Sequence, residues 1–114
     1  MVDFGNPVGT EMGMEHPALI VSAQELNDAV ALKRAIVVAG TSTRYENRQT
    51  KKVLAFHLEV PASTLNGLHH TTYFMSEQVR TVSIERFRRQ IGTVEASLLK
   101  EMENKLCLVM KLFR

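Results

Sequence analysis

Apolar and polar positions change their period along this 114-residue chain, and each change marks an element. Leu98, Leu99, Met102, Leu106, Val109, Met110 and Phe113 recur at steps of three and four, with Lys100, Glu101, Glu103, Asn104 and Lys111 on the other side. That stripe predicts one terminal amphipathic helix, its leucines and methionines packing a core or a second copy. Over residues 53–60 the period is two. Leu54, Phe56, Leu58 and Val60 alternate with Val53, Ala55, His57 and Glu59, the pattern of a half-buried strand. Residues 17–22 and 34–39 are short, nearly continuous apolar runs, the second stopped by Gly40, and each predicts a buried strand. Residues 2–4, 72–75, 78–83 and 91–94 predict further short strands. Residues 5–16, with three glycines and one proline, predict a long loop, as do residues 61–70. Short helices are expected at 23–29, capped by Ser22, and at 84–90.

Several short strands with one terminal helix predict a mainly β fold with helices (α+β): a small, strongly curved sheet or barrel with the helix packed on it. Strand–helix–strand alternation and a phosphate-binding glycine loop are both missing, which argues against a dinucleotide-binding fold. No repeat, low-complexity tract or linker interrupts the chain, so residues 1–114 are expected to form one domain.

Composition changes this picture little. Apolar residues make up 45% and charged residues 23%, ordinary values for a soluble domain. No apolar run is long enough to span a bilayer and no secretory signal opens the chain, so a cytoplasmic protein is expected. The single cysteine, Cys107, falls on the apolar side of the helical pattern and is expected to be a buried, inert thiol. A net charge of +2 does not by itself announce a nucleic-acid binder. Its distribution is more informative. Residues 44–52 bring together Arg44, Arg48, Lys51 and Lys52 with Tyr45 and Glu46, which reads either as a solvated hairpin or as a phosphate-contacting flap. His69-His70 would point to opposite faces if strand-borne, and no cysteine or acid stands at metal-ligand spacing, so neither a metal nor another cofactor is expected.

Two segments carry the most specific signal. Gly9-Thr10-Glu11 in a glycine-bearing loop is followed by His16-Pro17-Ala18-Leu19-Ile20-Val21-Ser22, and Glu77-Gln78-Val79-Arg80-Thr81-Val82 stands some sixty residues later. With Val2-Asp3-Phe4, Val38-Ala39-Gly40-Thr41-Ser42, Ile91-Gly92 and the terminal helix, in this order, the chain resembles the MazF/PemK/Kid family of bacterial toxin–antitoxin modules over nearly its whole length. The resemblance implies an SH3-like barrel of the CcdB/PemK type. It also implies a homodimer that cuts single-stranded RNA without metal, and an antitoxin of the MazE kind that silences it. In the family an arginine just before the proline of the second strand and a threonine after the third carry the chemistry. Related members add the acid that precedes the glutamine. The corresponding positions are His16, Thr41 and Glu77. Glu11, Arg44, Arg48, Lys51, Gln78 and Arg80 are the expected RNA-facing residues.

The sequence departs from that pattern twice. Met1 sits almost directly on the first strand, which looks shortened and puts closure of the barrel in question. More important, histidine replaces the arginine. Cutting RNA through its own 2′-hydroxyl needs a base, an acid and donors for the charge on phosphorus. Histidine is competent as base or acid because imidazole titrates near about pH 6.5. It lacks the permanent charge and two-pronged phosphate grip of arginine. Three function classes therefore stand: an active endoribonuclease, a weakened relative that binds RNA or antitoxin without efficient cleavage, and a CcdB-like gyrase poison, against which residues 77–82 speak.

Overall fold

The computed structural model describes residues 1–5, 14–29 and 31–112. Six strands, two α-helices and one 3₁₀ turn are present among them: β1 (Val2–Asp3), β2 (Glu15–His16), β3 (Ala18–Ile20), α1 (Gln24–Asn27), β4 (Arg34–Thr41), β5 (His57–Val60), β6 (Thr72–Ser83), the 3₁₀ turn Ile84–Arg86, and α2 (Ala96–Val109). An antiparallel sheet runs in the order β3-β4-β6-β5, and β1 pairs with β2 beside it.

The continuous apolar run of β4 has a direct cause. Val37 and Ala39 face an inner core with Val2, Phe4, Met75 and Val82. Val38 faces the opposite core with Leu19, Leu58, Val60, Phe74 and Met102. A strand covered on both sides has no position for a polar residue. Helix α2 supplies the second cover, with Met102 fully buried and Leu98, Leu99 and Leu106 packed around it.

Curvature comes from β6. Val38 pairs with Val79 but Gly40 pairs with Phe74, so residues 75–78 of β6 stand opposite Ala39 alone. Such an irregularity bends a strand and increases its twist. Beyond it β6 also pairs with β5, from His57↔Met75 to Val60↔Thr72. Gly40 permits the close approach there, since a Cβ at that position would lie 2.7 Å from Thr72 Cγ2 and 2.9 Å from Phe74 Cε1. The sheet curls into a half-barrel. At its open side Val2 bridges Phe87, and the Arg88 N–H donates to the Met1 carbonyl at 2.9 Å. The short first strand thus has neighbours on both sides.

Several expectations are corrected. The strand expected over 53–60 is only β5. Residues 44–54 fold back as a hairpin instead, with Glu46 bridging Val53 and the Asn47 side chain accepting from the Gln49 and Thr50 N–H groups. His57 is buried along with its neighbour Leu58, because the edges of the Tyr45 and Phe56 rings cover it. The two strands expected at 72–75 and 78–83 are one. The helix expected at 84–90 stops after one turn, because Phe87 and Arg88 are drawn to β1. Residues 91–94 form no strand, and Thr93 donates instead to the Leu65 carbonyl at 2.9 Å. Residues 17–22 are only half-buried, with Ile20 exposed. Ser22 does not cap α1; its hydroxyl accepts from Ile36 N–H at 3.1 Å and donates to Asn27 Oδ1. Cys107 is half-buried, and Phe113 lies outside the described residues.

Candidate functional site

The chain crosses from the small sheet to the large one at His16-Pro17. The Pro17 carbonyl accepts from Gly40 N–H at 2.8 Å, which fixes this crossing against the end of β4. Ala18 pairs with Ala39, one residue further on each side. His16 therefore stands beside Thr41. Both line a cleft of about 250 Å³, with Ser42, His69, His70, Thr72 and Arg89 completing its polar wall and Leu68 and Ile91 its apolar one. The Thr41 Oγ1 accepts from Thr43 N–H at 3.2 Å, which orients the hydroxyl while leaving its own proton available for donation. Arg89 is held at 3.0 Å from Glu15.

Glu77 is not brought into this cleft. It lies five residues along β6 from Thr72, about 16 Å of extended chain. There both carboxylate oxygens stand 3.0 Å from His57 Nε2. The Nδ1 of His57 is buried with no hydrogen-bond partner among the described residues. Gln78 is half-buried in the irregular stretch of β6. Arg80, opposite Val37, places its guanidinium 4.5 Å from the centre of the Phe4 ring, a cation–π contact.

The basic hairpin divides in two. Arg44 is engaged with Glu46 at 3.0 Å and Glu59 at 3.1 Å. A hydrogen bond with Tyr73, then that with Glu46, raises its pKa above the usual arginine value. Arg48, Lys51 and Lys52 are exposed and have no ion partner among the described residues. Glu11 lies outside the described residues.

Sequence reasoning missed His69, His70 and Arg89 as cleft residues. Alternation along a strand assigned the two histidines to opposite faces, but they occupy a bend before β6, where that rule does not hold, and both line the cleft. The signal that could have found them is the pairing of Thr41 with Tyr73, which sets the residues before Thr72 beside those after Thr41. Among the described residues no group of three His, Cys, Asp or Glu side chains is placed to hold a metal.

The chain is thus a small curled β half-barrel with a helix across one face and a His–Thr cleft at the sheet junction. That fold is shared with solved MazF structures. MazF from Deinococcus radiodurans superposes with a TM-score of 0.76 at 20% identity, over 97% of this chain and 90% of that one. The Mycobacterium tuberculosis toxin MazF-mt6 gives 0.72 at 22% identity, over 91% and 94%. The family model described as PemK-like, MazF-like toxin of type II toxin–antitoxin systems matches residues 1–110, and the chain belongs to that family. A relative named endoribonuclease MazF9, from Mycobacterium tuberculosis, is 30% identical over 113 residues, covering 98% of this chain and 92% of its own. The D. radiodurans MazE–MazF complex also superposes, with a TM-score of 0.65 at 19% identity over 86% and 83%.

Proposed function

We propose that this single toxin domain is a metal-independent endoribonuclease that cuts single-stranded mRNA at short sequences. The observation that carries the reading is the meeting of His16 and Thr41 in one cleft. His16 takes the 2′-hydroxyl proton, the 2′-oxygen bonds to phosphorus, and the bond to the 5′-oxygen breaks. The products are a 2′,3′-cyclic phosphate and a 5′-hydroxyl. Thr41 donates to a phosphate oxygen as charge builds there. Glu77, through His57, holds the groove wall rather than the reacting atoms. Arg48, Lys51 and Lys52 supply the exposed phosphate contacts. The protein works as a cytoplasmic homodimer, silenced by a MazE-like antitoxin whose acidic, apolar tail lies over the same groove. The antitoxin-bound relative of the same fold supports that partner.

Purified protein incubated with mixed-sequence single-stranded RNA in EDTA should cut it, and sequencing of the RNA ends should give the cyclic-phosphate chemistry and the cut site together. His16→Ala and Thr41→Ala should each lower the rate by about 10²-fold or more. Full activity in His16→Ala overturns its role, and a requirement for added metal overturns the mechanism. Histidine in place of the family's arginine favours a second reading, a weakened relative that binds RNA or antitoxin. Tight RNA binding by wild-type protein without cutting would establish it.

A further inference from the structure

His69 and His70 sit on an arm that is fastened more firmly than a connecting loop needs. Asn66, at its centre, is only 6% exposed. Its Oδ1 accepts from the Ser63 and Leu68 N–H groups, both at 3.0 Å. Its Nδ2 donates to the Pro61 carbonyl at 2.9 Å and to Glu95 Oε1 at 3.2 Å. Glu95 accepts in addition from the Ser63 hydroxyl at 3.0 Å. Gly67 takes a left-handed φ of +69°, and a Cβ there would lie 1.8 Å from the Ile91 carbonyl oxygen, so the arm rests directly on the segment before α2. At the exit the Thr72 hydroxyl donates to the His70 carbonyl at 3.1 Å. The arm delivers both imidazoles to the cleft, exposed and free of hydrogen bonds and ion pairs among the described residues.

Among the described residues, the charged and titratable groups on the other walls belong to His16 from β2, to Met1, whose amino group donates to the Arg89 carbonyl at 2.8 Å, and to Arg89, whose side chain is already paired with Glu15. Among the described residues, no carboxylate lines the cleft. A reaction that begins with His16 accepting a proton still needs a group that gives one to the leaving oxygen.

The geometry points to the His69–His70 pair as the acid side of the cleft: an imidazolium of this pair protonates the departing 5′-oxygen of the RNA. This rests on the RNA-cutting reading proposed above. The step balances. The 2′-hydroxyl proton goes to His16, the 2′-oxygen–phosphorus bond forms as the phosphorus–5′-oxygen bond breaks, and the 5′-oxygen takes its proton from the pair. His16 ends protonated and the pair ends neutral, and exchange with water resets both.

The test uses two substrates, wild-type protein, His16→Ala, the single variants His69→Gln and His70→Gln, and the double variant. One substrate is ordinary single-stranded RNA. The other carries sulfur in place of the bridging 5′-oxygen at the cut site, a leaving group that needs no proton. On ordinary RNA in EDTA the double variant should be slower by about 10²-fold or more, without the wild-type fall in rate at alkaline pH. On the sulfur-bridged RNA it should recover to near wild type, whereas His16→Ala should not. The single variant that reproduces the double identifies the donor. A double variant that cuts ordinary RNA as fast as wild type with the alkaline limb intact overturns the assignment. So does one that stays slow on the sulfur-bridged substrate, where the histidines would be structural only. If wild type cuts neither substrate, the proposed function itself fails, and this inference with it.

Discussion

Replacing Asn66 by alanine tests how far the cleft depends on the arm that carries its two histidines. The side chain makes three bonds to main-chain groups, at 2.9, 3.0 and 3.0 Å, and a fourth to Glu95. A neutral intramolecular hydrogen bond contributes about 0.5–1.5 kcal/mol net, and a buried group left without its partner loses more. Counting only the three main-chain bonds, Asn66→Ala should cost about 2–4 kcal/mol. For a domain of this size that lowers Tm on the order of 10 °C. Urea unfolding followed by circular dichroism reads the first quantity. Single-turnover cleavage at a temperature where the variant is fully folded reads the effect on the cleft, and it should fall because His69 and His70 are displaced. A stability unchanged within about 0.5 kcal/mol, with cleavage intact, would refute the reasoning.

Acid should loosen the same arm. The backbone N–H of Glu95 itself, then the Ser63 hydroxyl and the Asn66 amide, hold the Glu95 carboxyl below its ordinary value of 4.5. A carboxyl depressed on folding contributes stability that is present above that value and lost as pH falls through the folded one. Wild-type protein should therefore weaken as pH falls below 4.5. Glu95→Gln, which has nothing left to titrate there, should show less of that pH dependence.

Four further outcomes are expected. Met102→Ala removes a fully buried side chain from beneath α2 and should cost about 2–4 kcal/mol in urea unfolding, with the cleavage rate of the folded variant unchanged. Gly40→Ala forces a Cβ into Thr72 and Phe74; it should destabilise by about 1–3 kcal/mol and slow cleavage through the neighbouring Thr41. Reversing Arg48, Lys51 and Lys52 to glutamate should weaken RNA binding and flatten its salt dependence, and an unchanged slope would leave the hairpin a solvated turn. Glu77→Gln keeps an acceptor for His57 Nε2 and should reduce cleavage far less than His16→Ala does; an equal loss in single-turnover assays would return Glu77 to the reacting centre.

The parts legible in the sequence are those where one rule acts alone. The α2 stripe is a single helix face, and the run of β4 is a strand with cover on both sides. Where two rules compete, the pattern misleads. Ser76-Glu77 interrupts the apolar pattern of β6 and reads as a break between strands. The structure instead uses it as a bend, with the Ser76 hydroxyl donating to the Phe56 carbonyl at 2.6 Å. His57 alternates with apolar neighbours and reads as outward-facing, yet two aromatic rings and Glu77 close over it. Ile91 to Val94 is apolar enough for a strand, but its polar backbone is used to hold the arm at Leu65. His16 and Thr41 stand out in the sequence through resemblance to a family and not through any periodicity.

The stretch that marks the family is therefore not the stretch that lines the cleft. Residues 75–78 of β6 stand opposite a single residue of β4, so the main chain there lacks part of its ladder and side chains must supply the order. Ser76 does so through Phe56, and Glu77 does so through His57. The Tyr45 ring meets His57 edge-on at 5.8 Å, so the same pair ties the basic hairpin to the sheet. A motif used in that way fixes the shape of the sheet, and the cleft is lined instead from the places where strands end: His16 closing β2, Thr41 closing β4, and the histidine pair before β6. Strand ends leave side chains uncovered while the sheet holds their backbones fixed, which is the combination that proton transfer at a placed phosphate requires.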